Sequence, residues 1–311
     1  MAKNSLFWGK ARGKLGEIVL YRAGGEQRSR TYVKKVKNPK SLAQMTQRVK
    51  LGPLVSFFRT TSNVLRYSFP NRPKRQSGFN AFVAESLPVA TTALPRLYAD
   101  KGFSIPLNYH ISKGSVVLPA GSLTLGGFSG NRDSWGVYLQ NPPVSGTSGD
   151  YEEATLQNIE SHIDQWLGEN PEFAATLPMK FNICIIISEE IETGCLQSVR
   201  VLNIDRSEGS ITVSGNVLPT MTGTKIAGLI DVEDKQYLVF APGGGSNANL
   251  LFCGVFISYT DVNGKLAVSS AQMQSVIITG EGLGRYEKHG EVYNRAILEL
   301  GMGGQSMLST N

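Results

Sequence analysis

From Leu107 onward the sequence breaks into short β-rich runs divided by turn residues, and this texture restricts the fold more than any other feature. The runs are Leu107 to Ile111, Ser115 to Leu118, Trp135 to Gln140, Lys180 to Ile187, Gln197 to Ile204 and Ser210 to Val217. They continue with Lys225 to Ile230, Gln236 to Phe240, Leu250 to Tyr259, Leu266 to Ser269 and Ser275 to Thr279. Short strands at such spacing, with turn signals such as Asn263-Gly264 between them, predict an antiparallel β sandwich or barrel, jelly-roll-like arrangements included. One helix interrupts the series: Asp150 to Leu167 carries Leu156, Ile159, Ile163 and Trp166 on one stripe, acids in its first turn and Gly168 past its end. A last helix is expected from Glu291 to Leu300, followed by a flexible Gly-rich tail.

The first hundred residues have a different grain. Glu17 to Tyr21 and Ser29 to Val36 predict a hairpin turning through Ala23-Gly24-Gly25-Glu26. On the returning strand Arg28, Arg30 and Lys34 fall at period two and are expected on one face, with Tyr32 either stacking on a base or packing. Asn38-Pro39 reads as a helix start, with Leu42, Met45 and Val49 at helical spacing, and Gly52-Pro53 as its break or kink. A second helix is expected from Leu54 to about Tyr67 and a third from Ser77 to Leu87. Pro70 to Arg75 is an extended basic link between them, either a phosphate-contacting loop or a solvated linker. The fold class is therefore α+β: a small basic hairpin-plus-helices module over residues 1–100, then a mainly antiparallel β domain over 101–311 with one inserted helix.

Charge divides the chain more sharply than secondary structure does. The 311 residues carry a formal net charge of +6. Through Gln76, however, there are 18 Lys and Arg against only Glu17 and Glu26, or +16, which leaves −10 for the remainder. Such a field favours a polyanion at the basic end, nucleic acid before an acidic protein surface. The expected contact residues are Lys10, Arg12, Lys14, Arg22, Arg28, Arg30, Lys34, Lys35, Lys37, Lys40, Arg48, Lys50, Arg72, Lys74 and Arg75. Complementary halves also favour head-to-tail association of copies.

Catalytic and cofactor motifs fail on inspection. Gly280 to Arg285 imitates a dinucleotide fingerprint, but Arg285 replaces its last glycine and no βαβ unit surrounds it. Gly146 to Asp150 lacks the final glycine of a nucleophile elbow and reads better as the lead into a helix. Pro242 to Ser246 lacks the Lys-Ser/Thr of a phosphate loop. His110, His162 and His289 are single and far apart, and surface positions are expected for them. Glu152-Glu153, Glu189 to Glu192 and Asp231 to Asp234 have the chemistry to hold a hard cation, though solvated strand ends explain them more cheaply. Cys184, Cys195 and Cys253 are odd in number and widely spaced, which predicts thiols rather than a disulfide framework. No enzyme, no cofactor and no metal site is expected. Phe181 to Ile187, the longest apolar stretch, is far short of a bilayer span, and the N-terminus shows no secretory run, so a cytoplasmic or virion location without membrane partners is expected.

At Gly13-Lys14-Leu15-Gly16, Val19-Leu20-Tyr21, Lys34 to Lys40 and Gln44 to Lys50 the chain resembles a function-unassigned domain family common in gut bacteria and their phages. The resemblance covers about 50 residues. It implies no catalytic residues, only a basic N-terminal module joined to a β-rich remainder, and a phage association. The expectation is a non-enzymatic structural protein of a phage-like particle, coat or coat-associated, with nucleic acid, other copies of itself and other virion proteins as partners. The alternative is a host-type non-specific DNA-binding protein with a β-rich appendage.

Overall fold

A computed structural model describes residues 12–23, 25–34, 41–89, 91–93, 105–107, 109–130, 134–143, 148–191, 194–216, 227–244 and 250–275. The chain separates into two compact units, Met1–Ser41 and Leu42–Asn311. The boundary expected near residue 100 falls outside the described residues, and the helices expected with the basic module belong to the larger unit. The expected helix from Glu291 to Leu300 and the tail also lie outside them.

The smaller unit is a three-stranded antiparallel meander: β1 (Gly13–Leu15), β2 (Ile18–Ala23) and β3 (Glu26–Thr31). The expected hairpin is present, with Ala23 opposite Glu26, and Gly25 before Glu26 takes a left-handed φ of 85°, as a tight hairpin turn needs. The returning strand starts earlier and ends earlier than its sequence pattern suggests. Its last ladder bond runs from the Tyr32 N–H to the Glu17 carbonyl, so Lys34 lies in a bend beyond the strand rather than on the face of Arg28 and Arg30.

In the larger unit, α1 (Leu42–Leu65) runs unbroken through Pro53, where the sequence predicts a break between two helices. An interior proline costs about 3 kcal/mol in a helix. Here Leu54, Phe57 and Leu65 beyond it are fully buried, each contributing about 1.5–3 kcal/mol, which is enough to hold the helix on course. α2 (Gly78–Val89) follows, close to its expected bounds. Next come β4 (Thr91–Ala93) paired with β5 (Ile105–Leu107), β6 (His110–Ser112), β7 (Thr124–Gly130), β8 (Ser134–Tyr138) and β9 (Ser148–Glu153).

The expected helix from Asp150 is a strand up to Glu153, and the helical lead assigned to Gly149-Asp150 is replaced by β9 pairing with β13 (Ala227–Val232). The helix proper, α3 (Leu156–Glu169), begins at a capping box in which the Thr155 hydroxyl accepts from the Asn158 N–H and the Asn158 side chain accepts from the Thr155 N–H. It therefore has no acid in its first turn, and it runs past Gly168 to an Asn170-Pro171 junction with the short α4 (Pro171–Thr176). Ser115 to Leu118, expected as a strand, contributes only a single bridge from Val116 to Ser269.

The remaining strands are β10 (Lys180–Ile191), β11 (Gly194–Asp205), β12 (Ser210–Asn216), β14 (Lys235–Gly244), β15 (Leu250–Thr260), β16 (Leu266–Val268), β17 (Ala271–Gln272) and β18 (Gln274–Ser275). They form a six-stranded antiparallel sheet in the order β12-β11-β10-β15-β16, with β18 also on β15, and a closed barrel β13-β14-β8-β7-β9. One pair in the barrel, β7 with β9, is parallel.

The central strand β10 shows how the layers are built. Phe181, Ile183, Ile185 and Ile187 point into a core shared with α3, α4 and the barrel strands, while Cys184 and Ile186 point into a second core with α1 and α2. The strand is apolar on both sides because both sides of the sheet are covered. Phe57, Phe69 and Phe82 thus pack on the β structure of their own chain, against Ile186, Val199 and Phe256. They are not surplus apolar surface calling for a neighbouring copy. Gly78 marks a close backbone approach in this layer: a Cβ there would lie 2.4 Å from the Arg66 carbonyl oxygen.

Candidate nucleic-acid interface

The β-meander of the smaller unit sorts its side chains by strand alternation. Lys14 lies opposite Val19, which lies opposite Arg30; Tyr21 lies opposite Arg28. Tyr32, two residues beyond Arg30, keeps the same side. One face therefore presents Lys14, Tyr21, Arg28, Arg30 and Tyr32, and the opposite face carries the buried Leu20. The Lys14 ammonium sits 3.8 Å from the centre of the Tyr32 ring, and the Arg30 guanidinium lies 6.0 Å from that of Tyr21. Arg28 reaches Glu26 at 3.6 Å, but both side chains are exposed, and a pair of that kind contributes little and yields readily to a competing anion. Cations interleaved with aromatic rings on an open sheet supply phosphate contacts and stacking platforms together.

Other expected residues are placed apart from this face. Arg22 belongs to the opposite side and donates to the Gly25 carbonyl at 3.2 Å, bracing the turn. Arg12 is exposed just before β1. Lys10, Lys35, Lys37 and Lys40 lie outside the described residues. Arg48 and Lys50 are on α1 in the larger unit, two positions apart and so on different sides of the helix. Arg72 is drawn inward, donating from Nη1 to the Phe69 carbonyl at 2.9 Å and from Nε to the Gln76 carbonyl at 3.2 Å, while Lys74 and Arg75 are exposed. Arg72 thus shapes its loop rather than reaching out of it.

Two cations absent from the expected set, Arg59 on α1 and Arg66 in the turn directly after it, continue the exposed side that carries Arg48. Arg59 and Arg66 follow it at intervals of 11 and 7 residues, close to whole helical turns, and all three are exposed. The spacing is written in the sequence, but it becomes visible only when α1 is one helix. Splitting the segment at Gly52-Pro53 hides it.

Several other features of the described surface present less specific chemistry. A cleft of about 660 Å³ is lined by Val116, Pro119, Phe173 and Tyr259 together with Glu169 and Glu172. Glu169 is already engaged by Gln140 at 2.7 Å and Gln165 at 3.0 Å. Asp231 to Asp234 turn from β13 into β14 with Glu233 and Asp234 at positive φ, which is the strand-end position expected for them. Among the described residues no group of three or more His, Cys, Asp or Glu is placed to hold a metal ion. His110 is half-buried and its pKa is lowered, chiefly by that burial; His162 Nδ1 lies 2.9 Å from the Asn158 carbonyl oxygen. Cys184 and Cys253 are buried free thiols, and burial pushes them up to about 11 and about 12. Among the described residues no helix is long and apolar enough to cross a membrane.

Comparison of the chain with protein-family models, curated protein sequences and solved structures gives no match.

Proposed function

We propose that this chain is a non-enzymatic structural protein of a phage-like particle, coat or coat-associated, which holds nucleic acid through its basic N-terminal unit. The observation that carries the nucleic-acid part is the single sheet face bearing Lys14, Arg28 and Arg30 among Tyr21 and Tyr32. Such a face meets a phosphate backbone without entering a groove, so binding is strongly salt-dependent and indifferent to sequence. The charge division supports the same reading, since the +16 through Gln76 is set apart from a −10 remainder. The particle part rests on the resemblance over residues 13–50 and on a β-rich larger unit of coat-protein proportions.

The test uses the full chain, because α1 and α2 are built into the core of the larger unit and a fragment ending near residue 90 would tear that core. Duplex oligonucleotides of unrelated sequence are titrated between 50 and 200 mM salt by fluorescence anisotropy. Wild type binds all of them alike. Removing Arg28 and Arg30 together (R28Q/R30Q) lowers the slope of log K against log salt by about 1.8 if both meet phosphates. Absence of binding at 50 mM salt, or a flat salt response, overturns the nucleic-acid reading. Sedimentation and negative-stain imaging with and without nucleic acid test the particle reading, and a strict monomer under every condition overturns it.

A further inference from the structure

The larger unit carries a second basic, aromatic site that the N-terminal face does not include. Between the end of α1 and the start of α2 the chain folds a tight loop around a cleft of about 340 Å³. The cleft is lined by Tyr67, Arg72, Lys74 and Gln76 from the loop and by Lys265 and Leu266 from the β15–β16 turn. Its size is at the small end of the range for small-molecule sites, roughly 300–1,000 Å³.

Both walls are fixed by hydrogen bonds within the described residues. In the loop, Arg72 is tied to the carbonyls of Phe69 and Gln76, the Gln76 N–H bonds the Pro73 carbonyl at 2.9 Å, and the Ser77 hydroxyl accepts from the Asn80 N–H at 3.1 Å. The Ser68 carbonyl accepts from the Lys113 N–H at 3.0 Å, anchoring the loop to the sheet side. Across the cleft, Asp261 Oδ1 accepts from the N–H groups of Asn263 and Lys265 at 2.9 and 2.8 Å, and Gly264 takes a φ of 74°. The Asp261 carboxylate is therefore spent on the turn backbone, while the Lys74 and Lys265 ammonium groups have no ion-pair partner among the described residues. Tyr67 is 54 % exposed although it sits between the buried Leu65 and Ser68. Its ring is held out on a rigid turn, next in the chain to Arg66 and the arginine row of α1.

We infer that this cleft takes one unstacked nucleotide of a single-stranded nucleic acid, its base stacked on Tyr67 and its phosphates held by Lys74 and Lys265. The inference rests on the proposed nucleic-acid binding and adds to it the strandedness that the larger unit selects. Duplex bases are already stacked and leave Tyr67 nothing to receive, whereas a single strand offers a free π-face at every residue. Fixed walls lower the ordering cost of capture.

The experiment measures binding of full-length protein to 12-nucleotide oligo-dT, oligo-U and a mixed 12-base-pair duplex. The variants Y67A, Y67F and K74Q/K265Q are compared with wild type, and all replaced side chains are exposed ones whose loss leaves the fold intact by circular dichroism. Y67A weakens single-strand binding about 5- to 150-fold. It leaves duplex binding unchanged, and Y67F retains wild-type affinity. K74Q/K265Q lowers the single-strand salt slope by about 1.4. Single-strand binding that is the same in wild type, Y67A and K74Q/K265Q overturns this inference alone, with the N-terminal face left as the binding surface. Displacement of oligo-dT by polyglutamate of equal charge as effectively as by oligo-dT itself also overturns it, since stacking would then contribute nothing. Failure of wild type to bind any of the three nucleic acids overturns the underlying reading and this one together.

Discussion

Replacing Phe82 with alanine tests whether α1 and α2 are part of the β core or a module resting beside it. Phe82 is fully buried. Its ring lies 6.1 Å from Phe57, 5.7 Å from Phe58, 6.3 Å from Phe69 and 6.2 Å from Tyr109, so it is the ring around which the others are arranged. Truncating a buried phenylalanine costs about 3–5 kcal/mol in lost transfer energy and residual cavity. Edge and stacking contacts between rings add about 0.5–1.5 kcal/mol per pair, which places Phe82→Ala toward the upper end, about 4–5 kcal/mol. At about 2–4 °C per kcal/mol for a unit of this size, Tm falls by about 8–20 °C. Two probes decide where the loss is felt. Far-UV circular dichroism follows the helices, dominated by α1. Fluorescence of Trp166, with Trp8 and Trp135 replaced by phenylalanine, follows the core on the other side of the sheet, where Trp166 packs beside Phe173. Because Ile186 and its neighbours in β10 feed both cores, the two signals shift together to the same lower urea midpoint. A helical signal lost early while Trp166 keeps its wild-type midpoint would refute the shared-core argument and return α1 and α2 to a separate module.

Gly78→Ala drives a Cβ into the Arg66 carbonyl and Cα at 2.4 and 2.9 Å, backbone atoms that cannot swing aside, so a loss of about 1–3 kcal/mol is expected in urea unfolding. Cys184 and Cys253, buried and with pKa values pushed up to about 11 and about 12, stay unmodified when native protein is treated with iodoacetamide at pH 8, and peptide mass spectrometry reads the result; rapid labelling of both would contradict their burial. Asp205 is held down to about 2, first by its hydrogen bond from Lys180, which lies opposite it in the β10–β11 ladder at 2.5 Å. A carboxylate depressed in the folded state contributes stability that is present above its ordinary range near pH 4 and is lost as pH falls through about 2. Asp205→Asn therefore narrows the difference in midpoint between pH 5 and pH 2, and added salt reduces the effect because the Lys180 side chain is exposed.

The sequence by itself determined the features that depend on neighbours in the chain. Alternation in Phe181 to Ile187 required two covered faces, and both cores are there. Paired glycines between two β runs required the β2–β3 turn. Lys and Arg crowded before Gln76 fixed where positive charge would lie, because formal charge survives any folding. The start of α3 is not among these features: acids in the sequence point to a start at Asp150, whereas the helix is capped at Thr155.

Tertiary structure decided everything that needed a partner from far along the chain. Ser148 to Glu153 is a strand because β13 and β7 each offer it an edge, and satisfying backbone groups in a closing barrel outweighs its weak β propensity. α1 passes through Pro53 because the burial of Leu54, Phe57 and Leu65 in one core with α2 and the sheet is worth more than one lost hydrogen bond. That continuity in turn aligned Arg48, Arg59 and Arg66. Lys265 has no local signal at all: it faces Tyr67 and Lys74 only because β16 returns beside β15 and carries its turn to the end of α1. Propensity and charge are properties of a segment, whereas a site assembled from residues nearly two hundred positions apart exists only once the burial of both cores has brought its walls together.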